Sequence, residues 1–281
     1  MLPSALIDSL KEVKGFDKDA FQKVHQSGEK VTSVRLNPNK LIIDNCQLLI
    51  ESKIPWSSHG YYLSARPSFT IDPLFHAGAY YAQEASSMFL EEVLKQTVDL
   101  SQPLKVLDLC AAPGGKSTLI QSLISDESVL ISNDVIKSRA NILAENLTKW
   151  GATNVIVTNN DPKDFQRLEN YFDVIVVDAP CSGSGLFRKD PEAITEWSEQ
   201  NVALCSQRQQ RILADVLPSL KENGILVYST CSYSKTEDED ICDWMENELS
   251  MVNCQLTIEN YIGIIETKSS SNCVWVSFLS R

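Results

Sequence analysis

No stretch of the chain approaches the roughly 18 consecutive apolar residues that a membrane-spanning helix needs, and Met1 to Leu10 has neither the basic start nor the apolar run of a signal peptide. The expected compartment is therefore the cytoplasm, with no membrane partner. Histidine is scarce, at three in 281 residues (His25, His59 and His76), and none of the eight cysteines stands in a C-x-x-C pair. A zinc site is thereby disfavoured, and no metal is expected. The cysteines are scattered, several of them in apolar segments, so reduced thiols are a better reading than a disulfide framework. Basic charge is also short, with 25 Lys and Arg against 37 Asp and Glu and a net charge of −12. That argues against a free-standing electrostatic nucleic-acid binder. The deficit is uneven, because residues 236–281 hold nine acids and two bases, leaving 28 acids and 23 bases in residues 1–235. Internal repeats and low-complexity tracts are missing too.

What is present is a globular composition, 43% apolar, in a chain long enough for one large domain or one large and one small. From Leu104 to about Cys231, short apolar runs alternate with helical patterns, the signature of a doubly wound α/β sheet. The expected strands are Lys105 to Leu109, Val129 to Asn133, Asn154 to Thr158, Asp173 to Asp178 and Gly224 to Ser229. Helices are expected over Lys116 to Ile124, Ile136 to Trp150 closed by Gly151, and Pro191 to Leu220 with an interruption near Pro218. "TEDEDICDWMENEL" reads as a helix opening on carboxylates, which suit the positive end of the helix dipole. Upstream, Leu2 to Leu10 and Asp17 to Gln26 read as helices, "KVTSVRLNPNK" and "KLIID" as short strands, and "YYLSARPSFTIDPLFHAGAYY" as a loop-rich aromatic connection. Two domains are expected: a small α+β unit over residues 1–80, and the sheet domain over 81–281.

"VLDLCAAPGGKST" places a loop of small residues between the first strand and a helix. In open α/β sheets ligands bind at such carboxyl ends. Ala111, Ala112, Gly114 and Gly115 allow a ligand close to backbone N–H groups. The loop is neither G-x-G-x-x-G nor the phosphate loop G-x-x-x-x-G-K-[ST], and taken alone it could be a tight structural turn. Acids at later strand ends change the balance. Asp134 ends the second strand, where a carboxylate can accept from ribose hydroxyls; Asp161 lies just past the third, in range of an adenine amino group; Asp178 ends the fourth. One such Asp is more often a cap, but three in succession beside a glycine loop describe a nucleoside crevice.

Cys181, in "DAPCSGSG", follows the fourth strand, and Cys231, in "YSTCSYS", follows the fifth. Buried cysteine is commonly a small hydrophobe, which suits Cys46, Cys205, Cys242, Cys254 and Cys273. It suits Cys181 and Cys231 poorly, because both stand in polar loops on the ligand side of the sheet. Carbon 5 of a pyrimidine is a poor nucleophile, yet a thiolate added to carbon 6 turns the ring into an enamine that can attack an electrophilic methyl group. The ring nitrogen must then gain a proton or hydrogen bond, which Asp178 can provide. A base must remove the carbon 5 proton before the thiol leaves, and a second cysteine is a candidate for that stage.

With these motifs in order, "YYAQEASSM", "LDLCAAPGGKS", "ND", "NND", "DAPCSGSG" and "STCS", the chain resembles the Sun-type (nucleolar protein and Sun) RNA cytosine-carbon-5 methyltransferases. "VRLNP", "IPW" and "RPSFTIDPLFHAGAYY" are most similar to the bacterial ribosomal-RNA branch. The resemblance implies a Rossmann-like class I S-adenosylmethionine-dependent sheet with a small N-terminal RNA-binding-like domain. It implies that Cys110, Ala111, Ala112, Pro113, Gly114, Gly115 and Lys116 line the methionine and ribose part of S-adenosylmethionine, with Asp134 on its ribose, Asp161 on its adenine, and Asp178 closing the crevice toward the target base. It also implies that Cys231 is the nucleophile, that Cys181 assists release of the methylated RNA, and that Lys116, which could simply cap a helix, faces the active site.

Two departures stand out. Ser184 replaces a Glu common in relatives, a change expected to be tolerated. The chain ends in "TKSSSNCVWVSFLSR" where relatives run on into a further strand and often an extra RNA-binding domain, so a shortened catalytic portion is expected, its acidity balanced by a missing basic part. The expected substrate is RNA, ribosomal RNA of the small subunit ahead of transfer RNA, with a flipped or single-stranded cytosine as target. A nicotinamide dehydrogenase is disfavoured by the missing G-x-G-x-x-G. A non-catalytic RNA-binding or ribosome-assembly factor is the competing class, against which the two retained thiols speak.

Overall fold

The computed structural model describes residues 2–249 other than 12, 14, 15, 29 and 41–47, together with the strand Cys273–Ser277. Most of the expected "KLIID" strand therefore lies outside the described residues. The chain divides into two compact units, one of residues 31–177 and 218–225, the other of residues 1–30, 178–217 and 226–281.

The unit of residues 31–177 and 218–225 begins with an antiparallel sheet, order β2-β3-β1-β4, built from β1 (Thr32–Leu36), β2 (Ile50–Lys53), β3 (Gly60–Leu63) and β4 (Tyr80–Ala82). The central β1 is buried throughout, whereas the edge strand β2 is exposed. The aromatic connection holds more than loop: β3 and β4 overlap its two ends and the short helix α3 (Pro73–His76) lies within it, where Asp72 caps α3 by accepting the Leu74 N–H at 2.8 Å. Pro73 at the first helical position needs no N–H partner there.

The helix α4 (Leu90–Thr97) leads into the larger sheet, ordered β10-β9-β8-β5-β6-β7, with β5 (Lys105–Asp108), β6 (Val129–Asn133), β7 (Val155–Thr158), β8 (Phe172–Asp178), β9 (Leu220–Thr230) and β10 (Cys273–Ser277). Pairings β5–β6, β6–β7, β5–β8 and β9–β10 are parallel. Val174 to Val177 are each at most 1% exposed, as a strand covered on both faces requires. The five strands expected for this sheet are all present, with β9 starting at Leu220 rather than Gly224 and including Asn223 at a positive φ of 63°. The sixth strand, β10, was not anticipated from sequence. The order reverses between β5 and β8, which makes the carboxyl end of β5 the topological switch point.

Helices α5 (Gly115–Gln121) and α6 (Lys137–Trp150) connect these strands. In α6 the buried positions Ala140, Leu143, Leu147 and Trp150 recur every three or four residues, and Gly151 closes it at φ +87°, the left-handed position that favours glycine. Leu143 and Leu147 pack against Ala111 and Ala112, so the floor of the glycine loop is the apolar face of this helix.

The other unit contains α1 (Ser4–Ser9), α2 (Lys18–Gln26), α7 (Ala193–Glu196), α8 (Glu199–Val216) and α9 (Glu239–Glu248). The long helix expected over 191–220 is broken at Trp197–Ser198, where the Ser198 side chain caps α8 by accepting the Asn201 N–H at 3.1 Å, and α8 stops at Val216, two residues before Pro218. Leu6 and Leu10 join one apolar cluster with Phe187 and Tyr233, and Phe21 stands edge-on to Tyr233 at 5.3 Å. These contacts group residues 1–30 with the chain after 178.

Candidate active site

Three parallel neighbours, β5, β6 and β7, end at one edge of their sheet, and each carries part of the predicted cofactor crevice. At the end of β5, Asp108 is fully buried and its Oδ2 accepts the Ser117 hydroxyl at 2.6 Å, which ties α5 back to the strand. Ala111 donates its N–H to the Asn133 carbonyl (2.8 Å), and Gly114 donates to the Ala111 carbonyl (2.8 Å), so residues 111–114 form a tight turn. Gly114 has φ +112°, a conformation that only glycine takes readily. The loop carbonyls are held from outside: Arg139 Nη2 reaches Ala112 O (2.9 Å), while Asn146 Nδ2 (2.8 Å) and Tyr81 Oη (3.2 Å) reach Pro113 O. Cys110 is half-buried, and Lys116 is buried in the first turn of α5.

Asp134 is 2% exposed; its Oδ1 accepts the Ile136 N–H at 2.9 Å, and its Oδ2 lies 3.3 Å from Arg139 Nη2. Arg139 thus joins the predicted ribose carboxylate to the glycine loop, a role sequence reading missed because Arg139 is simply the third residue of a surface helix. Asp161 caps the turn Pro162–Arg167, accepting the Lys163 N–H at 3.3 Å in a capping box with Asp164. Asn133, the Asn of "ND", ties all three strand ends, donating from Nδ2 to Leu109 O (3.1 Å) and Asn160 O (3.0 Å) while its Oδ1 accepts the Asn160 N–H (2.9 Å).

The second group of predicted residues lies in the unit of residues 178–217 and 226–281. Asp178 Oδ1 accepts the Ser229 hydroxyl at 2.9 Å. Cys181 and Cys231, fifty residues apart in sequence, stand with their sulfurs 3.0 Å apart. Cys231 is exposed and Cys181 half-buried. The Cys181 thiol is pushed well above the usual range, first by its hydrogen bond with Cys231 and then by burial, which favours its neutral form. Cys205 and Cys242 are buried, as small apolar residues would be; Cys46, Cys254 and the Cys273 side chain lie outside the described residues.

Residues not foreseen from sequence surround the pair. Glu237 is fully buried and accepts from Ser182 and Ser232, the residues that follow the two cysteines. Sequence reading assigned it to a helix dipole; the only signal was its position within a few residues of "STCS". No group of three or more metal-ligating side chains occurs among the described residues, and none of their helices is long and apolar enough to cross a membrane.

A parallel Rossmann-like sheet, a small-residue loop at its switch point and acids on the next two strands define the fold of the S-adenosylmethionine-dependent methyltransferases. The chain belongs to the family described as 16S rRNA methyltransferase RsmB/F, whose pattern matches residues 95–269; residues 2–85 match the N-terminal domain of 16S rRNA methyltransferase RsmF. The chain is 31% identical over 260 residues to ribosomal RNA small subunit methyltransferase F of Pectobacterium atrosepticum, covering 87% of this chain and 53% of that one. It thus spans about half the length of the curated relatives it matches. A solved methyltransferase homolog protein of Pyrococcus horikoshii superposes with a TM-score of 0.67 at 29% identity, over 88% of this chain and 83% of that one. NSun6 of Pyrococcus horikoshii, solved with SFG, gives 0.71 at 19% identity over 86% of each chain, a likeness of fold.

Proposed function

We propose that this chain transfers a methyl group from S-adenosylmethionine to carbon 5 of a cytosine in small-subunit ribosomal RNA, through a transient bond between Cys231 and the base. The observation that carries the reading is the thiol pair: two sulfurs from two strand-end loops, 3.0 Å apart, one exposed and one half-buried. Family membership supplies the 16S ribosomal RNA as substrate class.

The residues fit the cofactor. A side chain at Gly115 would meet Gln83 and Tyr81 only at ordinary contact distances of 3.4 Å, and Gly115 has no positive φ. Neither packing nor backbone conformation demands glycine there, and its missing side chain leaves room for a ligand to lie against the loop. The carboxylates of Asp134 and Asp161 accept hydrogen bonds, as ribose hydroxyls and an adenine amino group require. Cys110 to Lys116 would hold the methionine and ribose part, and the bound cofactor supplies the electrophilic methyl group.

The chain's own residues do the rest. The exposed Cys231 adds as thiolate to carbon 6, forming a carbon–sulfur bond while the ring's electron pair moves toward carbon 5. Asp178, in its protonated form, donates a hydrogen bond to the pyrimidine ring nitrogen. Once Cys231 is bonded to carbon 6, the hydrogen bond that chiefly raises the Cys181 thiol is gone, and Cys181 as thiolate takes the proton from the methylated carbon 5, the carbon–hydrogen electron pair returns to the ring and Cys231 leaves as thiolate.

The test is transfer of labelled methyl from S-adenosylmethionine to total RNA, with mapping of the modified nucleotide. Transfer to a small-subunit cytosine is expected, abolished in Cys231→Ala, while Cys181→Ala accumulates a covalent protein–RNA adduct. Modification of transfer RNA would move the substrate. RNA binding without any transfer would favour an assembly factor, and full turnover by Cys231→Ala would sink the nucleophile assignment.

A further inference from the structure

The loops that carry the two thiols are fastened together by one buried carboxylate. Glu237 is 0% exposed. Its Oε1 accepts the Ser182 N–H at 2.8 Å and Gln209 Nε2 at 3.2 Å; its Oε2 accepts the Ser182 hydroxyl and the Ser232 hydroxyl, each at 2.6 Å. Ser182 directly follows Cys181, and Ser232 directly follows Cys231. The same Gln209 amide also donates to Pro180 O at 3.1 Å, so the residue before Cys181 is held as well. On the Cys231 side, the Thr230 hydroxyl donates to Asp238 at 2.6 Å and accepts the Ser232 N–H at 3.0 Å.

Burying a carboxylate costs several kcal/mol unless hydrogen bonds replace its hydration. Here all four replacements are neutral donors, and three of them come from the residues next to the two thiols. We propose that Glu237 is a positioning residue that sets Cys181 and Cys231 side by side, by gripping the residue after each. A carboxylate suits this task because it offers acceptor sites on two oxygens at a fixed angle. An amide turns one of those acceptors into a donor, which faces two hydroxyls already committed to donating.

The inference rests on the reading of the thiols as the reacting pair, but the pairing itself can be measured without RNA or cofactor. The 281-residue chain is treated with diamide, which takes up the two thiol hydrogens, and the rate of Cys181–Cys231 disulfide formation is followed by alkylation and peptide mass mapping. Ser182→Ala and Ser232→Ala, which each remove one arm, are expected to slow pairing about tenfold, and Glu237→Gln by more, from the strength of hydrogen bonds to a charged group. Glu239→Gln, which removes the same charge two residues on, is expected to pair like the wild type. In methyl transfer, kcat is expected to fall with pairing while KM for S-adenosylmethionine stays within about threefold, because the four donors to Glu237 come from Ser182, Ser232 and Gln209 and not from the cofactor loop.

A folded Glu237→Gln that pairs within about twofold of the wild type would overturn the proposal. Where Glu237→Gln does not unfold cooperatively, the single-serine variants decide, and unchanged pairing in both overturns it. Pairing that depends on Glu237 in a chain that transfers no methyl group would leave the grip intact and defeat only the functional reading.

Discussion

Gly185 passes directly beneath the Cys231 carbonyl: a Cβ at position 185 would come within 1.9 Å of that oxygen and 3.3 Å of the Cys231 Cβ. At Gly185 the neighbour is the backbone that carries the second thiol. Gly185→Ala must therefore displace a backbone, not a flexible side chain, and is expected to cost roughly 1–3 kcal/mol as overpacking does while slowing methyl transfer. Gly183→Ala meets nothing nearer than 3.9 Å but sits at φ +83°, so it is expected to cost only the roughly 1–2 kcal/mol of left-handed backbone. Urea unfolding of both variants, beside their turnover, separates the two effects.

Leu143, fully buried on α6, packs beneath Ala111 and Ala112. Leu143→Ala opens a cavity under the glycine loop and is expected to destabilise the chain by about 2–5 kcal/mol. Because the loop rests on that side chain, KM for S-adenosylmethionine is expected to rise as well. Leu147→Met, which nearly conserves volume, is expected to cost less than about 1.5 kcal/mol and to leave KM unchanged. Calorimetric binding and thermal unfolding on the same samples test the pair.

The alternating sheet, the Gly151 helix stop and the two strand-end thiols were legible because each leaves a local mark: an apolar run, a left-handed position, a cysteine in a polar loop. What escaped was built from contacts distant in sequence. Arg35 is 2% exposed, donates to Gln83 and Thr118, and stacks on Trp150 at 4.5 Å; nothing within "VRLNP" announces partners 48 to 115 residues away. Glu237 likewise reads as an ordinary first-turn acid until the loops it grips are in place. The strand-end acids carry a different lesson. Asp134 and Asp161 do cap turns, the commonplace use of such residues, and capping leaves acceptor capacity for a ligand.

That double use makes Asp134 testable. Asparagine can still accept the Ile136 N–H, so Asp134→Asn preserves the turn and loses the charge facing Arg139. Arg139 is 45% exposed on its side chain, and such a pair contributes little stability. Stability is therefore expected to change by less than about 1 kcal/mol, whereas affinity for S-adenosylmethionine is expected to fall about tenfold or more if the carboxylate holds ribose hydroxyls. Equal affinity would confine Asp134 to its structural role.

Asp238 supplies a pH signature. It is 3% exposed, and burial, with Glu239 and Glu237 nearby adding to it and the Thr230 hydroxyl opposing it, raises its carboxyl well above the ordinary range. A group with a raised folded pKa binds more protons in the folded chain than in the unfolded one. Stability is then lost as pH rises from the ordinary aspartate value of about 4 toward the raised one, at up to about 1.4 kcal/mol per pH unit. Asp238→Asn keeps an acceptor for the Thr230 hydroxyl and cannot ionise. The variant is expected to be more stable than the wild type at neutral pH and to show a shallower fall in its urea midpoint between pH 5 and 8. Parallel curves for the two proteins would mean that the Asp238 carboxyl ionises in the folded chain at its ordinary value.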